Sequence, residues 1–192
     1  MRRISIVALA LLALAGADCG GEDEVELVRG DGYEYELPDG WKHRSNEQDL
    51  QKLGFAGYVP DTLVTADPEE GFADNVNVLV EHSLTPGISA KEYAESAART
   101  LRNPEVLPGE AGRVISDLDP RDFSGPKRLE LDGADAYATD YTGDRAGRVM
   151  RFRNIVALRE GTAYGITYTA LRHRFEENAD AANRVVDTWA WR

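Results

Sequence analysis

A single cysteine in 192 residues leaves no intrachain disulfide to form, so the fold must be held by packing. Long apolar runs are also missing. The only candidate, Ile4 to Ala17, is shorter than the roughly 18 to 20 residues needed to cross a bilayer, and Gly16 and Asp18 interrupt its end. Basic charge is scarce: 22 Lys and Arg stand against 34 Asp and Glu, a net charge of −12. Such a balance argues against nucleic acid and anionic lipid headgroups as general partners, and favours solubility. No G-x-S-x-G elbow, phosphate loop, H-E-x-x-H, C-x-x-C or G-x-G-x-x-G stretch occurs, so the familiar hydrolytic, nucleotide and redox signatures are all absent. Repeats and low-complexity segments are absent too.

What is present begins with the placement of Cys19. Arg2 and Arg3 form a basic start, Ile4 to Ala17 is apolar except for Ser5, and small residues precede the cysteine, as in a secretory signal. The leader resembles that of a bacterial lipoprotein. That resemblance implies cleavage before Cys19, lipidation of its sulfur with acyl chains such as palmitate, and attachment to the extracytoplasmic face of the cell membrane. More than one acyl chain is needed for a stable anchor, which a triacylated cysteine supplies. The family's pattern ends in Gly or Ala before the cysteine, where this chain has Asp18. The other reading is ordinary cleavage after Ala15-Gly16-Ala17, giving a secreted soluble protein with an odd free thiol.

Residues 1–18 thus read as the signal peptide and 19–32 as an acidic tether following the lipidated cysteine. Residues 33–192 read as one domain large enough to bury a core. The tether, with Glu22, Asp23, Glu24 and Glu26, would reach about 45 Å when fully extended. Alternation predicts a half-buried strand over Tyr33 to Leu37, then a turn at Pro38-Asp39-Gly40 with Trp41 opening the next strand. A short helix over Glu47 to Leu53 and a strand over Leu63 to Ala66 follow. Asn75 to His82, apolar on both sides, predicts a central strand.

Ser89-Ala90-Lys91-Glu92 is a capping box, and the helix it opens should run from Ala90 to Arg102 with Ala90, Tyr93, Ala94, Ala97 and Leu101 on its buried side. A strand is expected at Arg113 to Asp117. Four antiparallel strands are expected at Lys127 to Leu131, Ala134 to Tyr141, Arg148 to Leu158 and Thr162 to Thr169, with Gly133, Gly143 and Gly161 at hairpin spacing between them. A last helix should cover Arg174 to Asp187 and bury Phe175, Ala179, Ala182, Val186 and Trp189.

Three segments carry a further likeness. They are Tyr35 to Trp41, Pro86 to Tyr93 entering its helix, and the chain from Gly133 through Asp140-Tyr141-Thr142 and Gly161 to Tyr168, then on to Phe175 and the closing helix. Together they resemble the PsbP-like fold, particularly the actinobacterial LpqN-type lipoproteins and related envelope proteins. The resemblance implies an α+β domain with an antiparallel β-sheet sandwiched between helices. It also implies an accessory or interaction role in the envelope through a protein partner, with no catalysis and no cofactor.

Residues with chemistry to offer are few. His43 and Ser45 share a strand face without an orienting acid, and a hydrolase built on them is the weakest reading. His43, His82 and His173 fall on separate elements, and Asp117, Asp119 and Asp122 lack the Gly and Glu of a calcium loop, so no metal site is expected. Two features could recognise a ligand. Arg151 and Arg153 alternate onto one face of a strand and could dock an anion, unless they pair with Asp135, Asp140 or Glu130. Tyr164 and Tyr168, with Tyr137 and Tyr141 on a neighbouring strand, could wall a cleft, unless they pack the core. Nine Arg against six acids in residues 144–192 predict ion pairing to the more acidic remainder. The lead expectation is a lipid-anchored binding or scaffold module, and the alternative is a carrier of a small amphipathic or anionic ligand.

Overall fold

The computed structural model describes residues 25–44, 60–68, 72–82, 84, 86–103, 119–145 and 147–192. The strands are β1 Leu27–Gly30, β2 Tyr33–Glu36, β3 Lys42–His43, β4 Thr62–Thr65, β5 Asn75–Glu81, β6 Arg121–Leu131, β7 Ala134–Arg145, β8 Arg148–Arg159, β9 Thr162–Leu171 and β10 Ala190–Trp191. Among the described residues two helices join them, α1 Ala90–Arg102 and α2 Ala179–Asp187. The strands form a seven-stranded sheet in the order β3-β4-β5-β9-β8-β7-β6 and a three-stranded sheet in the order β1-β2-β10. Every pairing is antiparallel.

Hairpin chemistry explains the large sheet. Asp132-Gly133 and Glu160-Gly161 each hold two consecutive positive φ angles, the geometry of the type I′ turn, whose twist matches that of the flanking strands. The turns join β6 to β7 and β8 to β9, so four consecutive strands fold as a meander. Period-two alternation then divides its side chains. Tyr164, Ile166, Tyr168 and Ala170 of β9 lie opposite Ala157, Ile155, Arg153 and Arg151 of β8 on one face, while Thr167, Thr169 and Leu171 belong to the other. Strand β5 adds Val76 and Val78 to the first face, fully buried, and has β9 and β4 on its two sides as expected of a central strand.

The layers correct one expectation. The first face of the large sheet is covered by the small sheet together with the nine-residue α2, so the sheet is not sandwiched between helices alone. The cause is aromatic. Tyr33 and Tyr35 of β2 alternate inward and stack with Trp189 at centroid distances of 4.3 and 6.0 Å, and Tyr164 meets Tyr33 edge-on at 6.0 Å. Flat rings delivered at period two suit a sheet-on-sheet layer, and each such pair adds about 0.5 to 1.5 kcal/mol beyond burial. Gly30 allows the close approach, since a Cβ there would stand 2.2 Å from the Tyr33 ring.

Helix α1 lies over β6, β7 and β8 on the second face, where Leu101 and Phe123 pack against Tyr141, Met150, Phe152 and Leu171. Its capping box forms as predicted: the Ser89 hydroxyl accepts from Glu92 N–H at 3.2 Å, and the Glu92 carboxylate accepts from Ser89 N–H at 2.9 Å. Its phase differs slightly, because Ala94 and Ala98 are the buried pair where Ala97 was expected. In α2 the buried residues are Ala182 and Val185, with Val186 only packed alongside, and residues 174–178 form turns ahead of a helix that begins at Ala179.

A second correction concerns the tether. Residues 27–30 pair with β2, Val28 is buried in the core, and the Leu37 N–H donates to Glu26 O at 2.8 Å. The folded domain therefore begins before Tyr33, and the stretch from 19 to 32 is not a tether throughout. The expected helix at Glu47 to Leu53 and strand at Arg113 to Asp117 lie outside the described residues, as do Cys19 and Ser45. Among the described residues no helix is long and apolar enough to cross a membrane.

Candidate ligand site between sheet and closing helix

Strands β5, β8 and β9 meet α2 around a hollow of about 270 Å³, counting the solvent at its mouth. Val76, Ile155, Ile166 and Tyr168 form its floor, and Ala182, Asn183 and Val186 of α2 form its wall. Arg153 stands at the polar side. The enclosed part is no larger than one water molecule needs.

Arg153 is engaged. Its Nε donates to Asp140 Oδ1 at 2.9 Å and its Nη2 to Oδ2 at 3.4 Å, a forked pair across the β7–β8 ladder where the two residues are direct partners. The hydrogen bond it donates to Asp140 raises the guanidinium pKa, fixing the charge. Arg151, two residues back on the same face, donates to Glu176 Oε1 at 2.6 Å and lies 4.2 Å above the Phe175 ring. The arginine pairing thus takes the predicted form at Asp140, whereas Arg151 finds Glu176 instead of the acids expected for it, and Asp135 pairs with Arg128.

The tyrosines are equally committed. Tyr168 donates its hydroxyl to Phe175 O at 2.9 Å, and burial pushes its pKa well above the ordinary phenol value. Tyr164 packs edge-on to Trp191 at 4.8 Å, and its pKa is raised by burial and then by the Asp31 charge. Of the four candidate residues, the hollow brings together Arg153 and Tyr168, while Arg151 and Tyr164 do not line it.

Two solved structures share this architecture. The cyanobacterial PsbP protein CyanoP from Synechocystis sp. PCC 6803 superposes with a TM-score of 0.57 over 92% of this chain and 98% of that one, at 16% identity. LpqN of Mycobacterium tuberculosis, described as involved in cell envelope biogenesis, gives a TM-score of 0.56 over 88% of this chain and 86% of that one, at 14% identity. The fold is PsbP-like. No protein-family model and no curated protein sequence matches the chain.

Two polar networks in this PsbP-like domain escaped sequence reasoning. In the first, the Tyr33 hydroxyl donates to Asp61 Oδ2 at 2.6 Å and lies 2.9 Å from Thr62 Oγ1, which lies 3.0 Å from the Tyr35 hydroxyl. Because the Tyr33 proton is committed to the carboxylate, Thr62 must donate to Tyr33 and accept from Tyr35. The proton order therefore runs from Tyr35 through Thr62 and Tyr33 to Asp61. Burial, reinforced for Tyr33 by Asp61, drives both phenol pKa values far up.

The second network is centred on Asp74, fully buried at the start of β5. It accepts from Asn178 Nδ2 at 2.7 Å and from Leu171 N–H at 3.4 Å, and lies 3.3 Å from Arg174 Nη2. No local sequence signal marks either network, since each joins segments far apart in the chain.

The histidines stay apart. His43 is exposed on β3, His82 Nε2 lies 3.0 Å from Asp31 Oδ2, and His173 follows β9. Among the described residues no three His, Cys, Asp or Glu side chains converge on a point. Asp122 accepts from the Thr142 hydroxyl at 2.8 Å, and Asp119 sits 3.8 Å from Arg121.

Proposed function

We propose that this chain is a lipid-anchored, extracytoplasmic binding or scaffold module of the cell envelope that performs no catalysis and works through a protein partner. The observation that carries the reading is a pairing of features along one chain. A basic, apolar leader ends in the lone Cys19, and the domain that follows is built like LpqN, a protein described as involved in cell envelope biogenesis. The hydrogen bonds of Arg151, Arg153 and Tyr168 within the fold, and the packing of Tyr164 on Trp191, support a binding or scaffold reading, since these side chains serve the structure of the domain.

A carrier function is the second reading, favoured by the convergence of Arg153 and Tyr168 on the hollow. It requires α2 to move outward, because the enclosed space takes no more than a water.

The test of the lead reading is phase partitioning in a cloud-point detergent. The native protein should enter the detergent phase and Cys19→Ser should remain in the aqueous phase. Equal partitioning of the two would end the lipoprotein assignment.

A further inference from the structure

Large apolar side chains left exposed among the described residues are Val25, Leu27 and Leu79, at 50%, 40% and 36% exposure. Two of the three lie where the chain enters the fold. That position matters because of a length. Six Cα-to-Cα steps separate Cys19 from Val25, so the link spans roughly 20 Å at full extension and about 14 Å as a flexible coil. A domain of this size has a radius of gyration of about 15 Å, so its diameter exceeds the link. An anchored domain on so short a link cannot present every side to the bilayer equally.

The side it presents follows from the register of the small sheet. Val28 points into the core, so Leu27 and Arg29 point outward, and their partners Glu36 and Glu34 share that outer face. Arg29 pairs with Glu34 at 3.2 Å, Arg184 with Glu36 at 2.6 Å, and Arg192 approaches Glu34 at 3.6 Å. Three cations thus meet two acids on this face, with Glu26 at its rim. The face itself is close to neutral in a chain of net charge −12, so it meets a headgroup layer with less repulsion than the rest of the surface would feel, the acids Glu22, Asp23 and Glu24 belonging to the link before it.

We propose that the outer face of the small sheet, with Val25 and Leu27 as its apolar contacts, rests on the lipid surface to which Cys19 is anchored. The proposal deepens the lipoprotein reading and rests on it. The short link supplies the proximity, and the neutral, partly apolar face makes the contact. The opposite side of the molecule, where α1 lies beyond the large sheet, then faces away from the membrane and is the side open to a partner.

The experiment uses the full-length lipoprotein, purified from membranes and returned to phosphatidylethanolamine/phosphatidylglycerol vesicles. Single cysteines replace Leu27, Val25 or, as the distal control, exposed Ser96 on α1, and each carries an environment-sensitive fluorophore. A quencher borne on the lipid should quench the labels at 27 and 25 severalfold more than the label at 96. Inserting twelve Gly and Ser residues before Val25 triples the link from six steps to eighteen, which should weaken quenching at 27 roughly fivefold, as local concentration falls with the three-halves power of length. Equal quenching at 27 and 96 in protein that still enters the detergent phase overturns the orientation and leaves the anchor standing. Recovery of every variant in the aqueous phase overturns both. Protection of position 27 from the lipid quencher and from aqueous iodide alike assigns the face to a second copy of the chain, and overturns the proposal too.

Discussion

Replacing Asp74 by Asn keeps the shape of a fully buried side chain and removes only its charge. In the native protein one carboxylate accepts from Asn178 and from the Leu171 backbone and faces the Arg174 guanidinium, itself only 8% exposed. An amide offers one acceptor oxygen and turns an N–H₂ group toward surrounding donors, so at least one former contact becomes donor against donor. Arg174 also keeps its charge in the interior after losing the Asp74 countercharge. Breaking a buried pair in this way costs about 3 to 5 kcal/mol. With a urea m-value of about 2 kcal/mol/M for a domain of this size, the midpoint should fall by roughly 1.5 to 2.5 M. Equilibrium urea denaturation, followed by tryptophan fluorescence and circular dichroism, reads the shift, and an unchanged m-value shows that the same surface is exposed. Combining Asp74→Asn with Arg174→Met removes the buried cation that faced Asp74 and should recover part of the loss. A single-variant cost below about 1 kcal/mol, or a double variant no more stable than Asp74→Asn alone, would refute the reasoning.

Two more outcomes follow from the buried hydroxyls and from the arginine fork. The phenols of Tyr33, Tyr35 and Tyr168 have pKa values raised above the unfolded value, so the stability they contribute is present below the ordinary phenol pKa near 10 and is lost as pH rises above it. Each should take away about 1.4 kcal/mol per pH unit in that range, and near-ultraviolet tyrosinate absorbance for these residues should grow in together with unfolding; ionisation within a fully folded protein would contradict it. Arg153→Gln leaves Asp140 half-buried without its forked partner and should cost about 1 to 3 kcal/mol in thermal denaturation, while binding to any partner captured by the native protein stays within twofold. A selective loss of binding at unchanged stability would instead favour the carrier.

The capping box, β5 and two turns of the meander were legible because their signals are local: Gly133 and Gly161 at hairpins, Ser-x-x-Glu before an apolar stripe, Val at alternate positions; the turn expected at Gly143 was not, since Gly143 lies within β7 opposite Met150. Strand β1 was not, since only Val28 turns inward while Glu26, Leu27 and Arg29 face solvent, and one buried residue in an acidic stretch carries no period. Ala94, Ala182, Phe175 and Trp189 are buried as expected, and one position in each helix differs by one residue because small and branched side chains crowd the borders of each stripe, as with Ala97 and Ala98 or Val185 and Val186. At the candidate site the Arg153–Asp140 fork was readable from strand alternation. The Arg151–Glu176 pair was not, because Glu176 sits in the turns before α2, where helix periodicity gives no guide.

The meander also sets an order in time. Strands β6 to β9 close through two short turns, whereas β5 must be recruited across a separation such as the 97 residues between Asp74 and Leu171. Loop-closure entropy favours the near contacts, so the hairpins should form the nucleus and β5, with β4 and the small sheet bonded to it through Tyr33, Tyr35 and Thr62, should dock afterwards. Truncating Val156 should then slow folding, and truncating Val78 should chiefly hasten unfolding, a division that the two arms of a chevron plot separate directly. On that account the layer formed by the small sheet is the last to be secured when the domain folds and the first to be released when it opens.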